Sequence, residues 1–263
     1  MANSNQPKIL VIAGSDSGGG AGIQGDIKTA MAHGVYASTA ITALTAQNTQ
    51  GVSGIYDITA NFVAEQISLV LNDIGAQAIK IGMLNNAAVI SAVESVIGSL
   101  EIPIVLDTVM IAKGGAPLLK DNANTALKNK LIPLAKIVTP NIPEAEKLTG
   151  IKILNLDNML EAGNKILQYG CHAVLIKGGH SWSSTIHDVV ITRAKHEIFS
   201  YDRFETKNTH GTGCTLSTAI ACHLAQGVDI FTAVDYARQY VLAAIKTASP
   251  IGHGHGPINH FVK

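Results

Sequence analysis

Charged side chains are scarce in this sequence. Asp, Glu, Lys and Arg make up 14% of the 263 residues, whereas about 25% is usual in globular proteins. The 19 basic and 19 acidic residues balance to a formal net charge of +0. No basic run is present that would attract nucleic acid or an anionic membrane. We therefore expect neither of these as a partner.

Cysteine is also scarce, and what is present does not form a pattern. Cys171, Cys214 and Cys222 are odd in number and include no CxxC pair, which argues against a disulfide framework or a zinc ribbon. No apolar run approaches the ~18 residues needed to cross a bilayer. The amino terminus has only a short apolar run and one lysine, Lys8, so it makes a poor signal peptide. These features predict a cytoplasmic protein with reduced thiols.

Hydrophobic residues make up 47% of the chain, and short apolar runs alternate with longer amphipathic stretches. This alternation indicates a mostly parallel sheet with helices on both faces. We expect one α/β domain over residues 1–263. The predicted strands are Lys8–Ala13, Ser38–Leu44, Ala78–Met83, Ile104–Asp107, Ile137–Thr139 and Ala173–Lys177, with a hairpin of His187–Arg193 and Glu197–Tyr201. The predicted helices are Gly22–His33, Asn61–Asp73, Ala87–Gly98, Asn122–Leu134, Leu156–Tyr169, Cys214–Gln226 and Phe231–Ala248.

A glycine-rich turn at residues 13–26 joins the first predicted strand to the first helix. Free N–H groups at such a helix start favour an anion. The segment contains GxGxxG at Gly20, Gly22 and Gly25, which raises the alternative of an NAD-linked oxidoreductase. That fingerprint also requires an acidic residue about 20 positions further on. Residues 27–56 contain none, so we disfavour this alternative.

A second glycine-rich turn, residues 207–214, precedes another predicted helix. Its glycines allow consecutive N–H groups to converge as an anion nest, although a compact packing loop is an equally good interpretation. Cys214 lies in the first turn of the helix. The helix dipole there lowers a thiol pKa and would make the residue a base or nucleophile. The alternative is a small buried residue that packs beneath the loop.

The segments AGSDSGGGAGIQGD, ALTAQNT, IKIGML, VLDTVM, TPNIPEAE, IKGGH and TKNTHGTGCTLS occur in this order. In order and spacing they resemble the hydroxymethylpyrimidine/phosphomethylpyrimidine kinases, which are thiamine-pathway members of the ribokinase-like superfamily. The resemblance runs from Lys8 almost to the carboxyl terminus. It implies a three-layer ribokinase-like sandwich and transfer of the ATP γ-phosphoryl group, first to hydroxymethylpyrimidine and then to its monophosphate. It further implies Mg²⁺ as cofactor, a small pyrimidine substrate and a homodimer.

The resemblance also assigns roles to individual residues. Cys214 would be the catalytic base, and Lys177 would place positive charge near the phosphates. Asn141, Lys177 and Thr209 would contact the nucleotide, while Glu144 and Asp107 would lie on the metal side. The phosphoryl group would be held by Gly211, Thr212 and Gly213. The pyrimidine pocket would be lined by Gln47, which would bond the aminopyrimidine edge, with Gly14, Ala21, Asp26, Thr45, Met83 and Val109.

Several other interpretations remain. A pyridoxine/pyridoxal kinase of the same superfamily is the nearest rival, because its substrate is also a hydroxymethylated heteroaromatic ring. A non-catalytic pyrimidine-binding protein is a further class. The histidines at 253 and 255 could bind a metal, but we expect a flexible terminus there. Asp16 and Asp26 could be a catalytic pair, although helix capping and pocket polarity are the favoured roles.

Overall fold

A computed structural model describes residues 6–110, 123–180 and 184–262 of the chain. Within these residues the strands form one sheet in the order β3-β2-β1-β4-β5-β6-β7-β8-β9. The pairings from β2 through β7 are parallel, and those of β3, β8 and β9 are antiparallel. The strands are β1 (Lys8–Asp16), β2 (Tyr36–Asn48), β3 (Gly51–Asp57), β4 (Ala78–Ile81), β5 (Ile104–Leu106), β6 (Ile137–Val138), β7 (Ala173–Ile176), β8 (Thr185–Thr192) and β9 (His196–Asp202).

Helices cover both faces of this sheet. They are α1 (Gly22–Ala32), α2 (Ala60–Asp73), α3 (Ala87–Ile97), α4 (Ala123–Ala126), α5 (Ile142–Thr149), α6 (Leu156–Leu167), α7 (Thr212–Ala225) and α8 (Ile230–Lys246). Leu10 and Ile12 of β1 face the cluster that contains α2 to α6. Ile9 and Val11 face the cluster that contains α1, α7 and α8. Successive residues of a strand point to opposite faces of the sheet. A strand that is covered on both faces must therefore be apolar throughout.

The predicted strands, the hairpin and most helices are confirmed, but two elements were missed. β3 escaped prediction because it is an edge strand whose residues are mostly exposed, so it lacks apolar alternation. Its pairing extends β2 to Asn48, and Gln47 therefore lies in a strand opposite Val52 rather than in an exit loop. The short helix α5 was also missed. The residues that start this helix belong to the site described below.

The helix predicted for Asn122–Leu134 is correct in kind but changes form along its length. Asn122 lies outside the described residues. Beyond α4 the chain continues as a π-helix at Leu127–Leu131 and a 3₁₀ helix at Ile132–Leu134. Pro133 lies in the first turn of the 3₁₀ segment, where its missing N–H is tolerated. Among the described residues, the helices are too short or too polar for any of them to span a membrane.

The two glycine-rich turns meet at the carboxyl edge of the sheet. A Cβ added to Gly20 would clash with the ring of His210, and one added to Gly211 would overlap the Gly20 carbonyl oxygen. Gly211 also has a φ of 84°, a left-handed conformation that favours glycine. Because Gly20 and Gly211 have no side chains, the starts of α1 and α7 can lie close together.

We predict that Gly211→Ala will cost more stability than Gly227→Ala. Both glycines have a φ of 84°, so each substitution carries the backbone strain of about 1–2 kcal/mol. Gly227 has open space around its Cα, whereas the Gly211 variant must also push the Gly20 carbonyl away. Denaturant unfolding of both variants measures the difference. Equal losses would show that the turns do not depend on this contact.

Candidate active site

The residues predicted at strand ends converge on one edge of the sheet. Asp16 ends β1, Asp107 follows β5 and Lys177 follows β7. Gln47 lies near the end of β2, in the segment that pairs with β3. Parallel strands bring their carboxyl ends to the same edge, where ligands bind in open α/β sheets.

Asp16 organises the first glycine-rich turn. Its carboxylate accepts hydrogen bonds from the N–H groups of Gly18 at 2.8 Å, Gly20 at 3.1 Å and Ala21 at 2.8 Å. Its Oδ2 also lies 2.8 Å from Nε2 of His210, in the second turn. Burial would raise the pKa of Asp16, but these hydrogen bonds and the imidazole hold it below its usual value. The carboxylate therefore joins the two turns.

The predicted pyrimidine-binding residues form an apolar wall with a polar end. Met83 packs with Ala43 and Val109, and a Cβ on Gly14 would come within 2.9 Å of the Met83 sulfur. The hydroxyl of Thr45 lies 3.1 Å from the Gln47 side-chain oxygen and 2.9 Å from the Ser15 carbonyl oxygen. These contacts fix the amide of Gln47, which remains partly exposed beside the wall.

The second turn opens α7 without a side-chain cap. The N-cap is Gly211, no acidic residue occupies the first helical turn, and the hydroxyl of Thr212 donates to the Thr209 carbonyl oxygen at 3.2 Å. A Cβ placed on Gly213 would lie 3.5 Å from Nζ of Lys177. The structure therefore puts an ammonium group next to the uncapped N–H groups of a helix, a combination that suits an anion.

Cys214 lies in the same helical turn, and its sulfur accepts a hydrogen bond from the N–H of Gly22 at the start of α1. Burial raises the pKa of this thiol to about 11, although the charge of Lys80 opposes the rise. The expectation of a lowered pKa was wrong, because loss of hydration outweighs the favourable charges. The resting thiol is therefore protonated at neutral pH.

Asp26, which the resemblance assigns to the pyrimidine pocket, is held by two buried partners. Its side chain is fully buried, with Oδ2 2.8 Å from Nζ of Lys80 and Oδ1 2.6 Å from the Thr218 hydroxyl. Both oxygens are thus occupied beneath the pocket. Lys80 had not been singled out from the sequence, although a lysine inside the buried strand AIKI is itself a signal, since such a charge is seldom buried without a partner.

On the other side of α7, Asp107 and Lys177 form an ion pair at 2.8 Å. Asp107 also accepts from the hydroxyls of Thr139 at 3.1 Å and Ser217 at 3.4 Å. Burial alone would raise the pKa of Asp107, but Lys177 and Lys80 bring it below its usual value. Asp107 is therefore a charged anchor for Lys177.

Asn141 and Glu144 form a capping box at the start of α5. The Asn141 side chain accepts from the Glu144 N–H, and the Glu144 carboxylate accepts from the Asn141 N–H, both at 2.9 Å. The resemblance had placed Asn141 with the nucleotide and Glu144 on the metal side, so the meaning of their NxxE spacing as a helix start was missed. Burial raises the pKa of Glu144 to about 7, with Lys177 opposing the rise and Asp107 adding to it.

The carboxyl-terminal histidines do not form a flexible tail. The His255 N–H donates to the Thr49 carbonyl oxygen at 2.8 Å, and Gly256 accepts at 3.0 Å from the N–H of His210. This segment therefore packs against both the β2–β3 turn and the second glycine-rich turn. Among residues 6–110, 123–180 and 184–262, no group of three or more His, Cys, Asp and Glu side chains is placed to hold a metal ion.

The pKa of Glu144 leads to a stability prediction for the metal-free protein. Because its folded pKa of about 7 lies above its unfolded value, Glu144 destabilises the fold increasingly as pH rises from about 4.5 to about 7. Glu144→Gln keeps an uncharged oxygen and removes this dependence, which amounts to on the order of 2 kcal/mol across that window. Urea unfolding at several pH values measures the difference from wild type.

Glu146→Gln provides a control of opposite sign. A bond from the Ile153 N–H holds the pKa of Glu146 below its usual value. Glu146 therefore stabilises the fold at neutral pH, and this contribution disappears on acidification. A Glu144→Gln difference that stayed constant between pH 4.5 and 7 would contradict the assignment.

Comparison with known proteins agrees with this geometry. The family model for phosphomethylpyrimidine kinase matches residues 16–259. The hydroxymethylpyrimidine/phosphomethylpyrimidine kinase of Haemophilus influenzae is 47% identical over 98% of each chain. The Bacillus subtilis protein of the same name is 44% identical over 97% of this chain and 94% of its own. The bifunctional thiamine biosynthesis protein ThiED of Geobacter sulfurreducens is 48% identical over 97% of this chain, which spans about half, 52%, of that protein.

Solved structures show the same fold. A phosphomethylpyrimidine kinase from Clostridium difficile is 43% identical with a TM-score of 0.82, over 91% of this chain and 100% of its own. The Bacillus subtilis pyridoxal kinase, solved as an ADP complex, is 34% identical with a TM-score of 0.90 over 97% of both chains. The predicted ribokinase-like α/β sandwich is confirmed, and the chain belongs to the phosphomethylpyrimidine kinase family.

Proposed function

We propose that this chain uses ATP to phosphorylate 4-amino-5-hydroxymethyl-2-methylpyrimidine to its monophosphate and then to its diphosphate, as a step of thiamine biosynthesis. The observation that carries the proposal is the first turn of α7. There the uncapped N–H groups after Gly211, the ammonium of Lys177 and the thiol of Cys214 lie together. The names of the relatives supply the substrate class.

The pyrimidine would bind between the Met83 wall and the amide of Gln47. An amide presents both a donor and an acceptor, which matches the ring nitrogen and exocyclic amine of an aminopyrimidine. The Thr45 contact holds that amide in one orientation. Gly14 leaves room for the ring to approach the Met83 sulfur, and Ala21 lies in the turn that Asp16 organises.

The ATP phosphates would lie over the start of α7, beside Lys177. Asn141 forms a β-bridge with Lys177, and the Thr209 carbonyl oxygen accepts from the Thr212 hydroxyl. Glu144 supplies a buried carboxylate of the kind that Mg²⁺ prefers. When bound, Mg²⁺ neutralises charge on the phosphate oxygens. We assign Asp107 to holding Lys177, because its oxygens are taken by that lysine and by Thr139 and Ser217.

In the first step the alcohol oxygen attacks the γ-phosphorus, and the bond between that phosphorus and the β–γ bridging oxygen breaks. The alcohol proton would pass to the sulfur of Cys214 in its thiolate form, which becomes the neutral thiol. The N–H groups of Thr212 and Gly213 would stabilise the charge on the transferring group. In the second step the acceptor is a phosphate oxygen that already carries negative charge, so it needs no base.

Mass measurement of the products formed from hydroxymethylpyrimidine and ATP tests the function directly. Both the monophosphate and the diphosphate are expected. A parallel assay with pyridoxal is warranted because the chain resembles pyridoxal kinases so closely in structure. Substantial turnover of pyridoxal, with none of hydroxymethylpyrimidine, would reverse the assignment in favour of that second function.

We predict that Cys214→Ala will slow the two steps unequally. Loss of a general base typically lowers the rate about 10²–10⁴-fold, so the first step should fall by this order. The second step should fall less than about tenfold, since its acceptor is already ionised. Separate assays with the alcohol and with the monophosphate measure the two effects. Equal losses in both steps would refute the role of Cys214 as base.

We predict that Gln47→Ala will act mainly on KM. The amide binds the ring equally in the ground and transition states, so kcat should change little. Loss of one or two hydrogen bonds corresponds to a rise in KM of about 10- to 100-fold. Gln50→Ala is the matched control, because Gln50 lies in the nearby β2–β3 turn and is exposed. A fall in kcat with unchanged KM would contradict the assignment.

We also propose that the chain is a single-domain cytoplasmic enzyme that forms a homodimer. Support for the dimer comes from two exposed apolar side chains on one face of the sheet edge, Leu44 of β2 and its cross-strand partner Tyr56 of β3. The cytoplasmic assignment rests on the free cysteines. Sedimentation equilibrium of the whole chain gives the oligomeric state.

A further inference from the structure

Two buried charges beneath the site have no part in the mechanism so far. Lys80 and Asp26 each have a side-chain exposure of 0%, and their charged groups lie 2.8 Å apart. Although burial would lower the pKa of Lys80, the charge of Asp26 raises it, so the ammonium stays protonated. A buried ion pair is weak evidence for stability, because hydrophobic residues of similar size often do as well or better. The position of this ion pair beneath the site therefore needs an explanation other than stability.

The pair lies directly below Cys214 because of helix periodicity. Thr218, which bonds Asp26, is four residues after Cys214 on α7, and side chains four apart share a helix face. Asp26 is likewise four residues after Gly22 on α1, and the Gly22 N–H bonds the Cys214 sulfur. Gly22 and Cys214 thus lie in one layer across the two helices. Asp26 and Thr218 lie in the next layer, one helical turn further along.

The Lys80 side chain points from the layer of Asp26 and Thr218 toward the carboxyl edge of the sheet, where the site lies. It lies in β4, which is followed immediately by Gly82. A Cβ on Gly82 would come within 2.9 Å of the Lys80 ammonium, so the missing side chain gives that group its space near the end of the strand. Glycine here is explained by this close approach, since Gly82 does not have a positive φ.

We propose that Lys80 is a positioning residue: it holds a fixed positive charge beneath Cys214 and stabilises the thiolate that then takes the alcohol proton. Asp26 keeps the lysine charged and, with Thr218, holds it in place. This inference rests on the proposed role of Cys214 and extends it. The charge acts on the sulfur, so it should matter for phosphorylation of the alcohol and much less for phosphorylation of the monophosphate.

The other charges around the sulfur are consistent with this role. Asp107, after β5, opposes thiolate formation, and Lys177, after β7, also interacts with the thiol. On the far side of α7, burial lowers the pKa of His260 to about 4, so it adds no charge at neutral pH. Lys177 is expected to serve the phosphates, which leaves Lys80 as the cation assigned to the sulfur.

The test is the rate of Cys214 alkylation by iodoacetamide in the whole protein between pH 7 and pH 10.5. Cys171 and Cys222 have 0% exposure, so modification should occur at Cys214, which peptide mass mapping verifies. In Lys80→Met the rate at pH 8 should fall about tenfold or more, which corresponds to a thiol pKa higher by about one. In Asp26→Asn the rate should rise about threefold or more, because a nearby negative charge is removed.

Three further variants make the result decisive. Lys152→Met removes an exposed lysine that pairs with Glu146 at 3.1 Å, and it should leave the rate unchanged. Thr218→Val removes the hydroxyl but keeps both charges. Lys80→Met with Asp26→Leu removes the whole pair without leaving a buried lone charge, and its rate should lie between those of the single variants. Circular dichroism confirms that each variant is folded.

Two outcomes separate this inference from the proposed function. Equal alkylation profiles for wild type, Asp26→Asn and the double variant would overturn the role of Lys80, whatever Cys214 does in catalysis. If alkylation follows the expected order while Cys214→Ala keeps full activity on the alcohol, the role of Lys80 toward the thiolate is supported and the base assignment fails. If both hold, alcohol phosphorylation should fall in Lys80→Met more than monophosphate phosphorylation.

Discussion

The site depends on the direct contact between the two glycine-rich turns. Asp16 gathers the N–H groups of the first turn and reaches His210 in the second, while Gly20 and Gly211 touch without side chains between them. This contact brings the starts of α1 and α7 to the same place. The start of α7 offers N–H groups without a side-chain cap, and both starts present the positive end of a helix dipole. Neither turn alone would concentrate that much positive potential beside the pyrimidine pocket.

The charges around this point nearly cancel, which explains how so many can be buried. Lys80 is paired with Asp26, and Lys177 with Asp107. Glu144 stands near the second pair with a pKa raised to about 7, so it is partly neutral when no cation is present. A site with paired charges loses less stability than one with isolated charges. It can also accept phosphates and a divalent cation together, since these add opposite charges.

The sequence predicted the sheet better than the details of charge. Apolar runs such as Ile9–Ala13 predict a buried parallel strand because the physical requirement is local. β3 could not be found in this way, since it is an exposed edge strand held by pairing with β2. The NxxE segment was open to two chemical interpretations, and spacing alone does not separate a capping box from a metal site. His210 and Lys80 depend on contacts across 194 and 54 positions of the chain, which a local pattern does not reveal.

Burial also explains why a thiol suits the position of the base. A carboxylate there would add a third full negative charge beside Asp26 and Asp107, in a site that must also receive the ATP phosphates. The Cys214 thiol is mostly neutral at rest, because burial raises its pKa to about 11, and only its thiolate form can take the alcohol proton. A nearby fixed cation raises the fraction of Cys214 that is present as thiolate, and so raises the rate at which the alcohol proton is taken. The same neutrality leaves room for a second acceptor that already carries a phosphate. One site can then serve both steps without rearranging its charges.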